Sequence, residues 1–442
     1  MNREPESIAE IATGYAGLLV LTLLAFLVGA TAGLLGVAFR LALEWAERFR
    51  DSVLAWAHGK NLLGFLCVMV LSAAATAVAA WLVRRFSPQA TGSGIPHVEA
   101  VAKGELPPAP FRLIPVKFLG GRLAIGAGLA LGREGPTVQM GATLAHLLGT
   151  AFRRTEDDCR VLLAAGAGAG LATAFNAPIA GAVFVLEELV RRFDTRTTIA
   201  TLGASAGAIA VARVFLSQGP DFRVALSPYP GFGTVVVHLV LGVVIGFLGI
   251  AYNRTILGVL TVAERLDRWP VELRAALVGT AVGVLAWFAP SLVGGGDALT
   301  QRTLAGTETL VILALVFPLR FGLGAVSYAA ETPGGLFAPM LVLGAQTGFV
   351  FGIFCNHWLA SVAPQPSELA VVGMAAFFTA VVRAPLTGIV MVIEMTASFT
   401  LLLPMLAACC AAMVVPTLLG DPPIYDSLSQ RSSGDRKRVH SI

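Results

Sequence analysis

A short polar motif interrupts an apolar stretch of the chain. Gly132-Arg133-Glu134-Gly135-Pro136 stands between the apolar runs Phe118–Leu131 and Thr137–Gly149. At about 1.5 Å per residue each run forms a helix of roughly 20 Å, whereas the hydrocarbon core of a membrane is about 30 Å thick. Gly135 and Pro136 break the helix, and proline suits the first turn of a new one because it has no N–H to leave unpaired. The motif predicts a helix that begins inside a membrane, with its positive end directed at Glu134, beside an anion pathway.

Glu134 is an acid in this apolar setting, next to Arg133. The two residues could form a purely structural ion pair. An ionisable group within a membrane is costly, however, and is by default a functional candidate. A carboxylate at an anion site competes with the anion when it is charged and yields when it is protonated. Glu134 is therefore predicted to be a gate that couples anion movement to protons.

Two further glycine-rich motifs have the form of helix starts. In Gly92-Ser93-Gly94-Ile95-Pro96, Ser93 is predicted to cap a short helix that ends near Val101, and its hydroxyl would donate to an anion. In Gly334–Pro339, the backbone N–H groups of Leu336 and Phe337 could bind an anion without adding a positive charge. An ordinary capped loop and a plain turn between helices are the alternatives for these two motifs.

The chain also repeats itself. Gly166–Glu188 aligns with Gly373–Met395 at one fixed offset, which superimposes a glycine, an Ala-Pro pair and a second glycine and places Glu187 on Glu394. A slightly different offset aligns Gly132–Pro136 with Gly334–Pro339. Two halves with interrupted helices in corresponding places predict a transporter whose site lies at the interface between the repeats. The pattern itself does not say whether the halves are inverted.

Glu187 and Glu188 end an apolar run and could simply lie solvated at the membrane interface. A structural role is the other interpretation of Glu187, since the second repeat keeps an acid in its place. Glu188 has Met395 as its counterpart, so it belongs to one half only, and this asymmetry makes it the better candidate for the acid at which protons enter. Three more residues have an interfacial interpretation: Tyr425, Lys117 and Arg122.

Composition identifies the class of protein. Of the 442 residues, 56% are hydrophobic and 13% charged, whereas a soluble protein has about 25% charged residues, so the chain is predicted to cross a membrane several times. The basic tail is placed in the cytoplasm by the positive-inside rule. The predicted organisation is an amphipathic cytoplasmic lead-in (1–13), a first transmembrane repeat (14–216), a linker loop (217–233), a second transmembrane repeat (234–425) and a basic disordered cytoplasmic tail (426–442).

Patterns typical of other protein classes do not hold up. Gly203–Gly207 matches the G-x-S-x-G pattern of hydrolases, but it lies in a small-residue helical stretch with no strand before it, which favours helix packing over a nucleophilic Ser205. The six histidines show no metal spacing, and the five cysteines are interpreted as free thiols. No phosphate-binding loop is present, so pumping driven by ATP is not expected.

Taken together, the motifs resemble the CLC family of chloride channels and chloride/proton antiporters. The resemblance covers nearly the whole chain. It implies an all-α polytopic membrane protein, with a CLC-type inverted repeat of about 18 tilted, partly re-entrant helices, assembled as a homodimer with one pathway in each subunit. The segments that carry it are GSGIP (92–96), PVKFLGG (115–121), GREGP (132–136), AFNAPIAG (174–181), GGLFAP (334–339), RAPLTG (383–388) and the late Tyr425.

The resemblance also implies roles for individual residues. Ser93 and Tyr425 look like the central anion ligands, and Leu336 and Phe337 supply backbone amides. Glu134 resembles the external gating glutamate, and Glu188 the internal proton glutamate of exchangers. The supporting residues of the site would be Gly94, Ile95, Arg133, Gly135 and Lys117. The chain departs from the pattern at His97, where bacterial relatives often have an acid.

Three functions stay open at this point. The first is exchange of chloride for protons in a prokaryotic inner membrane, with both termini cytoplasmic, and the second is a passive voltage- or pH-gated chloride channel. The third is a membrane-embedded enzyme that uses Ser205. Chloride is the expected anion because Ser93 replaces the proline of nitrate-selective relatives, with bromide or nitrate as alternatives. No cofactor, metal, nucleic acid or nucleotide is expected, the last because the CBS pair of eukaryotic members is missing.

Overall fold

The computed structural model describes residues 8–216, 219–224, 231–358 and 364–439. Within these ranges the chain is helical, and its only β-type pairings are two isolated bridges. The helices are α1 (Ile8–His58), α2 (Asn61–Phe86), α3 (Ile95–Ala102), α4 (Leu113–Gly126), α5 (Glu134–Ala151), α6 (Glu156–Phe175), α7 (Pro178–Phe184), α8 (Thr195–Phe215), α9 (Val235–Arg265), α10 (Val271–Phe288), α11 (Asp297–Leu304), α12 (Leu310–Tyr328), α13 (Phe337–Trp358), α14 (Pro366–Val382), α15 (Pro385–Thr396), α16 (Leu402–Leu418) and α17 (Ile424–Val439).

Helix length decides which elements can cross a membrane. In the described part of the chain, nine helices are long and apolar enough to do so. By contrast α3, α7 and α11 have only eight, seven and eight residues, which makes each of them roughly 12 Å long at about 1.5 Å per residue. Such helices are too short to cross a membrane. The expectation of an all-α membrane protein with partly re-entrant helices is confirmed.

Pairs of helices pack closely through glycines at corresponding positions of the two halves. Gly141 of α5 faces Gly166 of α6, and Gly344 of α13 faces Gly373 of α14. A Cβ on any of these four glycines would overlap the backbone carbonyl of the facing glycine. The close approach explains why small residues are so frequent, since helices in a membrane gain contact energy by bringing their backbones together.

The repeat is more extensive in the structure than in the sequence. The predicted offset relates α6, α7 and α8 to α14, α15 and α16. The residues that end α6 and α14 are both left-handed, with a φ of 50° at Asn176 and 73° at Arg383. The related pair α3 and α11 was not recognised from sequence. Each follows a left-handed glycine, Gly94 (φ 78°) and Gly296 (φ 103°).

Equivalent residues of the two halves meet at Gly132 and Gly335. Each N–H donates to the other's carbonyl oxygen at 2.8 Å, in an antiparallel bridge. Two copies of one position that exchange the same pair of hydrogen bonds are related by an approximate two-fold axis. The two segments run in opposite directions at this point, as expected for inverted halves.

A second reciprocal contact closes the starts of α7 and α15. The carboxylate of Glu187 accepts the Thr387 N–H at 2.7 Å, and that of Glu394 accepts the Ala180 N–H at 2.8 Å; each also accepts the N–H of the preceding residue. Each half therefore supplies the acid that caps a helix N-terminus of the other half. Of the two interpretations of Glu187, the structural role is correct.

One helix boundary differs from the prediction. The run Phe118–Leu131 is not a single helix, because α4 begins at Leu113 and ends at Gly126. Gly128 adopts a left-handed φ of 107°, which stops the helix. The segment that follows runs non-helically to Gly132, where it forms the bridge to the other half.

The C-terminal segment also differs. Disorder was predicted from residue 426, but α17 continues to Val439. The helix is anchored at its start by the buried Tyr425 and Leu428, and Arg431 donates to the Glu264 carboxylate at 2.6 Å. These contacts supply the stabilisation that the polar sequence alone lacks. At the other end, α1 begins at Ile8, within the predicted lead-in, and residues 1–7 and 440–442 lie outside the described residues. The linker lies between α8 and α9, with 217–218 and 225–230 likewise outside.

Candidate anion and proton site

The three glycine-rich motifs, far apart in sequence, lie side by side. The Gly92 N–H donates to the Thr332 carbonyl at 3.2 Å, and the Gly334 N–H donates to the Gly92 carbonyl at 3.0 Å. The Gly132–Gly335 bridge joins the Gly132–Pro136 motif to the Gly334–Pro339 motif in the same way. The structure thus brings the starts of α3, α5 and α13 together.

Glu134 is the first residue of α5, and its side chain reaches the N-terminus of a different helix. Oε1 accepts the Phe337 N–H at 2.7 Å and the Ala338 N–H at 3.4 Å, at the start of α13. The side chain is completely buried, and Oε2 has no hydrogen-bond partner within the described residues. The α13 amides thus reach the carboxylate from another helix, and the carboxylate also interacts with the Glu134 N–H at the start of α5, the helix end that was expected to face it.

Ala338 was not among the predicted ligands, whereas Leu336 was. The structure assigns the two carboxylate hydrogen bonds to Phe337 and Ala338, the first two residues of α13, and Leu336 precedes the helix. A sequence signal for Ala338 existed. It precedes Pro339, and the amides in the first turn of a helix have no intrahelical acceptor.

The Glu134 carboxylate lies between two glycines. A Cβ at Gly132 or at Gly335 would overlap its carboxylate atoms. Neither glycine has a positive φ. Both positions therefore need glycine for space at the carboxylate and not for backbone conformation.

Ser93 lies in the turn before α3. The residue at the N-cap position is Gly94, with its left-handed φ, so the prediction that Ser93 is the N-cap is wrong. The buried Ser93 Oγ instead accepts the Ile95 N–H at 3.3 Å, and it also interacts with the Tyr328 hydroxyl. Gly135 packs directly against the Ser93 backbone, where a Cβ would come within 2.7 Å of Cα. Tyr328 was missed from sequence, although a tyrosine that ends an apolar helix is an uncommon feature.

Tyr425 is fully buried, so its interfacial interpretation is wrong. Its hydroxyl has no hydrogen-bond partner among the described residues. The ring lies 6.0 Å from that of Phe337, measured between centroids, and the residue interacts electrostatically with both Glu134 and Glu188. A free hydroxyl therefore lies in the same interior region as the α13 N-terminus.

Lys117 stabilises the turn at the start of the Gly92–Pro96 motif. Its ammonium group is buried and donates to the carbonyls of Ala90 at 3.0 Å and Gly92 at 2.7 Å, so it does not reach the interface. Arg122 is exposed. Arg320, at the position equivalent to Lys117 in the second half, donates to the carbonyls of Leu292, Gly294 and Gly295. A buried cation thus holds the turn before the short helix in each half.

Arg133 forms its ion pairs with residues other than its neighbour Glu134. The guanidinium lies 3.5 Å from Asp221 and 3.4 Å from Asp297, and Nε donates to the Ala174 carbonyl at 2.9 Å. The alternative of a structural Arg133–Glu134 pair is therefore not what the structure shows. A narrow cavity of about 30 Å³ is lined by Arg133, Asp297 and Glu134 among others.

Glu188 lies in a π-helical turn, Val185–Leu189, that follows α7. Only 3% of the residue is exposed, so the interpretation of a solvated interfacial acid is wrong. Its carboxylate lies 3.6 Å from the Arg191 guanidinium. The wider π turn directs Glu188 into the protein, and such turns occur frequently at functional sites.

Two cavities approach this region from other directions. One, of about 590 Å³, is lined by Gly92, Gly94, His97 and Tyr328 among others, and so reaches the turn that holds Ser93. The other, of about 310 Å³, is lined by Glu188 and its neighbours. The two cavities have different linings, one at the turn that holds Ser93 and the other at Glu188.

Ser205 lies in the packed interface of α8. Its hydroxyl is buried and has no hydrogen-bond partner in the part of the chain that the structure describes. The neighbouring Ala204 packs so tightly against Gly29 of α1 that a Cβ on that glycine would overlap its carbonyl. An activated serine nucleophile needs an adjacent base, and helix packing is the role that the contacts support.

Comparisons with known proteins agree with the fold. The family model described as "Voltage gated chloride channel" matches residues 75–417. A protein of Vibrio parahaemolyticus named H(+)/Cl(-) exchange transporter ClcA is 38% identical over 432 residues, which is 95% of this chain and 91% of that protein. The protein of the same name from Cronobacter sakazakii is 39% identical over 424 residues, 94% of this chain and 90% of that one.

A solved structure gives the same answer. The X-ray crystal structure of a slow cyanobacterial Cl−/H+ antiporter superimposes with a TM-score of 0.89 at 33% sequence identity, covering 93% of this chain and 97% of that one. The family match spans most of the sequence, and the relatives cover nearly all of it. This chain belongs to the voltage-gated chloride channel family, the CLC family.

Proposed function

We propose that this protein exchanges chloride for protons across a prokaryotic inner membrane. The observation that carries the proposal is the Glu134 carboxylate on the N–H groups of Phe337 and Ala338. Free amides at a helix N-terminus bind an anion without contributing a formal charge. The carboxylate is itself an anion, so the site is built for one, and chloride takes the same amides when Glu134 leaves them.

Proton coupling follows from this competition. A charged carboxylate accepts strong hydrogen bonds from the amides, whereas a protonated one accepts much weaker bonds and has a proton to donate. Protonation therefore releases Glu134 in favour of chloride, and deprotonation returns it. The gate carries a proton each time it exchanges places with the anion.

The remaining ligands follow the resemblance to the family. The hydroxyls of Ser93 and Tyr425 are proposed to donate to chloride further along the pathway, and the unpartnered Tyr425 hydroxyl is available to do so. The Leu336 amide stays a candidate at the α13 end. Glu188 is proposed to pass protons between its own cavity and Glu134.

A passive chloride channel is the second candidate, since the same anion site would serve it. Exchange is favoured by the buried Glu188, which a channel does not need, and by the names of the relatives that are 38–39% identical.

The deciding experiment uses purified protein in liposomes with an imposed chloride gradient, and it records external pH. Exchange predicts uphill proton movement that stops when a proton ionophore is added. Chloride flux with no proton movement would identify a channel. Replacing chloride by bromide or nitrate in the same assay measures anion selectivity.

Two variants assign the acids. Glu134→Gln should move chloride without protons, because an amide cannot carry a proton, and proton pumping by this variant would remove Glu134 from the gate. Glu188→Gln should stop proton movement yet spare chloride. Glu156→Gln is the matched control, because that side chain is 94% exposed and pairs only with Arg160, one turn along its own helix, in the described part of the chain.

Assembly and orientation are proposed from the family resemblance and from the basic tail. A homodimer with both termini in the cytoplasm is expected. Cross-linking in membranes tests the dimer, and labelling of single cysteines introduced near each terminus, from one side of intact cells, tests the orientation.

A further inference from the structure

One guanidinium group contacts a carboxylate from each of three elements near Glu188. Arg191 Nη2 lies 2.7 Å from Asp426 Oδ1, 3.5 Å from Glu99 Oε1 and 3.6 Å from Glu188 Oε1. A second nitrogen, Nη1, lies 3.4 Å from the other Asp426 oxygen. The arrangement places the four side chains in one cluster, which we call the Arg191 cluster.

Each acid of the Arg191 cluster belongs to a different part of the proposed site. Glu99 is on α3, the short helix that begins just after Ser93. Asp426 directly follows Tyr425 on α17. Glu188 is the proposed proton acid. Arg191 therefore touches the two elements that carry the hydroxyl ligands and the turn that carries the proton acid.

Arg191 is held in place by its own backbone. Its φ of 54° is left-handed, which ends the π-helical turn, and its Nε donates to the Glu188 carbonyl at 3.3 Å. A bulky residue adopts this conformation only when the surroundings require it. The guanidinium is therefore folded back over the turn, while 39% of the side chain stays exposed.

The charges of the cluster balance in one protonation state of Glu188. Lys103 pairs with Glu99 at 2.6 Å, so two cations face the three acids Glu99, Glu188 and Asp426. Two charged carboxylates would be neutralised by the two cations, and a third would not. The side chains of Glu99 and Glu188 are only 4% exposed. A surplus charge at this depth is poorly solvated and costly.

No other cation lies within ion-pair distance of Glu188 in the described part of the chain. The carboxylate of Glu187, its neighbour in sequence, accepts the Thr387 N–H at the start of α15. Arg383 lines the same cavity but lies 3.7 Å from Asp421 and donates to the Asp421 carbonyl. Arg191 is therefore the group that responds when Glu188 gains or loses a proton.

We propose that Arg191 is a positioning residue that couples the protonation of Glu188 to the anion ligands, by holding α3 and α17 against the turn that carries Glu188. The inference rests on the proposed proton role of Glu188. When Glu188 is charged, it competes with Asp426 and Glu99 for the guanidinium. When Glu188 is protonated, Arg191 is released to these two acids and holds the Tyr425 end of α17 more firmly.

The test compares two adjacent arginines. Arg191→Gln removes the guanidinium of the cluster, and Arg192→Gln makes the same change at a neighbouring arginine that is likewise exposed but for which the described residues provide no ion pair. In liposomes, Arg191→Gln should lower proton movement per chloride about ten-fold, the effect of losing one partly buried ion pair. It should also shift the pH dependence of proton movement to higher pH by about one unit, when pH is varied on the side of the membrane that Glu188 faces. The reason is that the charged form of Glu188 loses its cation. Arg192→Gln should behave as wild type.

Two further variants separate positioning from general destabilisation. Arg191→Lys keeps the charge but not the forked geometry, and it should restore the pH dependence more fully than the coupling ratio. Asp426→Asn removes the negative charge from the 2.7 Å contact and leaves the Arg191–Glu188 pair, so it should lower the coupling ratio with less effect on the pH dependence. Combining Asp426→Asn with Arg191→Gln should add little to Arg191→Gln alone, because both break one link.

The outcomes distinguish this inference from the function on which it rests. Wild-type protein that moves chloride but no protons would refute exchange, and the inference with it. A wild-type exchanger whose Arg191→Gln variant keeps the ratio and the pH dependence of Arg192→Gln would refute the inference alone. If Arg191→Gln does not fold, Asp426→Asn decides: an unchanged coupling ratio in that variant overturns the inference.

Discussion

Gly132→Ala tests how the Glu134 carboxylate competes with chloride. The three atoms nearest to a Cβ at Gly132 all belong to the Glu134 carboxyl group. The glycine has no positive φ, so the substitution adds a methyl group without backbone strain. The change therefore acts on the carboxylate directly and leaves its chemistry intact.

The size of the effect follows from the hydrogen bond that is lost. Displacing the carboxylate breaks its 2.7 Å contact with the Phe337 N–H. A hydrogen bond to a charged group contributes about 1.5–3 kcal/mol, and about 1.4 kcal/mol corresponds to a ten-fold change in an equilibrium constant. Occupancy of the α13 amides by Glu134 should fall about ten-fold to a hundred-fold. Chloride affinity should rise by up to the same factor, because its competitor is removed.

Calorimetric titration of chloride into purified protein provides the measurement, at a pH where Glu134 is ionised and again at low pH. Wild-type protein should bind chloride more tightly at low pH, whereas Gly132→Ala should bind it tightly at both. Gly322→Ala is the control, since a Cβ at that glycine meets no atom within 4 Å. Adding Glu134→Gln to Gly132→Ala should change the affinity little further. A folded Gly132→Ala protein with wild-type affinity at both pH values would show that Glu134 does not compete for this site.

Three other substitutions test the supports of the site. Lys117→Met should lower the unfolding temperature and weaken chloride binding, since two buried carbonyls lose their donor at about 1–3 kcal/mol each, whereas the exposed Arg122→Met should do neither. Glu187→Ala should lower the free energy of unfolding by about 0.5–2 kcal/mol, as expected for loss of an N-terminal cap, and a thermal stability assay that shows no decrease would exclude the capping role. Ser205→Ala should leave transport unchanged, and a loss of proton-coupled flux with intact folding would give Ser205 a role beyond helix packing.

Local features of the sequence were sufficient to predict several parts of the structure. Glycine and proline act through the backbone of their own segment, so the start of α5 at the Gly132 motif could be located directly. The shared acids Glu187 and Glu394 indicated a repeat, and in the structure each of them caps a helix N-terminus of the other half. Glu134 and Glu188 were identifiable as costly acids in apolar surroundings. These inferences depend on residue type and on neighbours in sequence.

Features that depend on distant contacts could not be predicted in the same way. The apolar setting predicts that Glu134 is a gate, but nothing near it in sequence indicates that its partners are the Phe337 and Ala338 amides of the other half. The sequence around Lys117 is that of an interfacial lysine, and only the fold places the Ala90 and Gly92 carbonyls around its ammonium group.

The sequence alone determined that this is a membrane protein of two related halves, with helices that begin inside the bilayer and acids beside those starts. The physical reason is that hydrophobicity, helix breaking and the cost of burying charge are local properties. The tertiary structure alone decided which amides hold Glu134, how far α17 extends, and that Arg191 joins Glu99, Glu188 and Asp426. These are pairings between distant segments, and they exist only after inversion of the second half has brought the segments together.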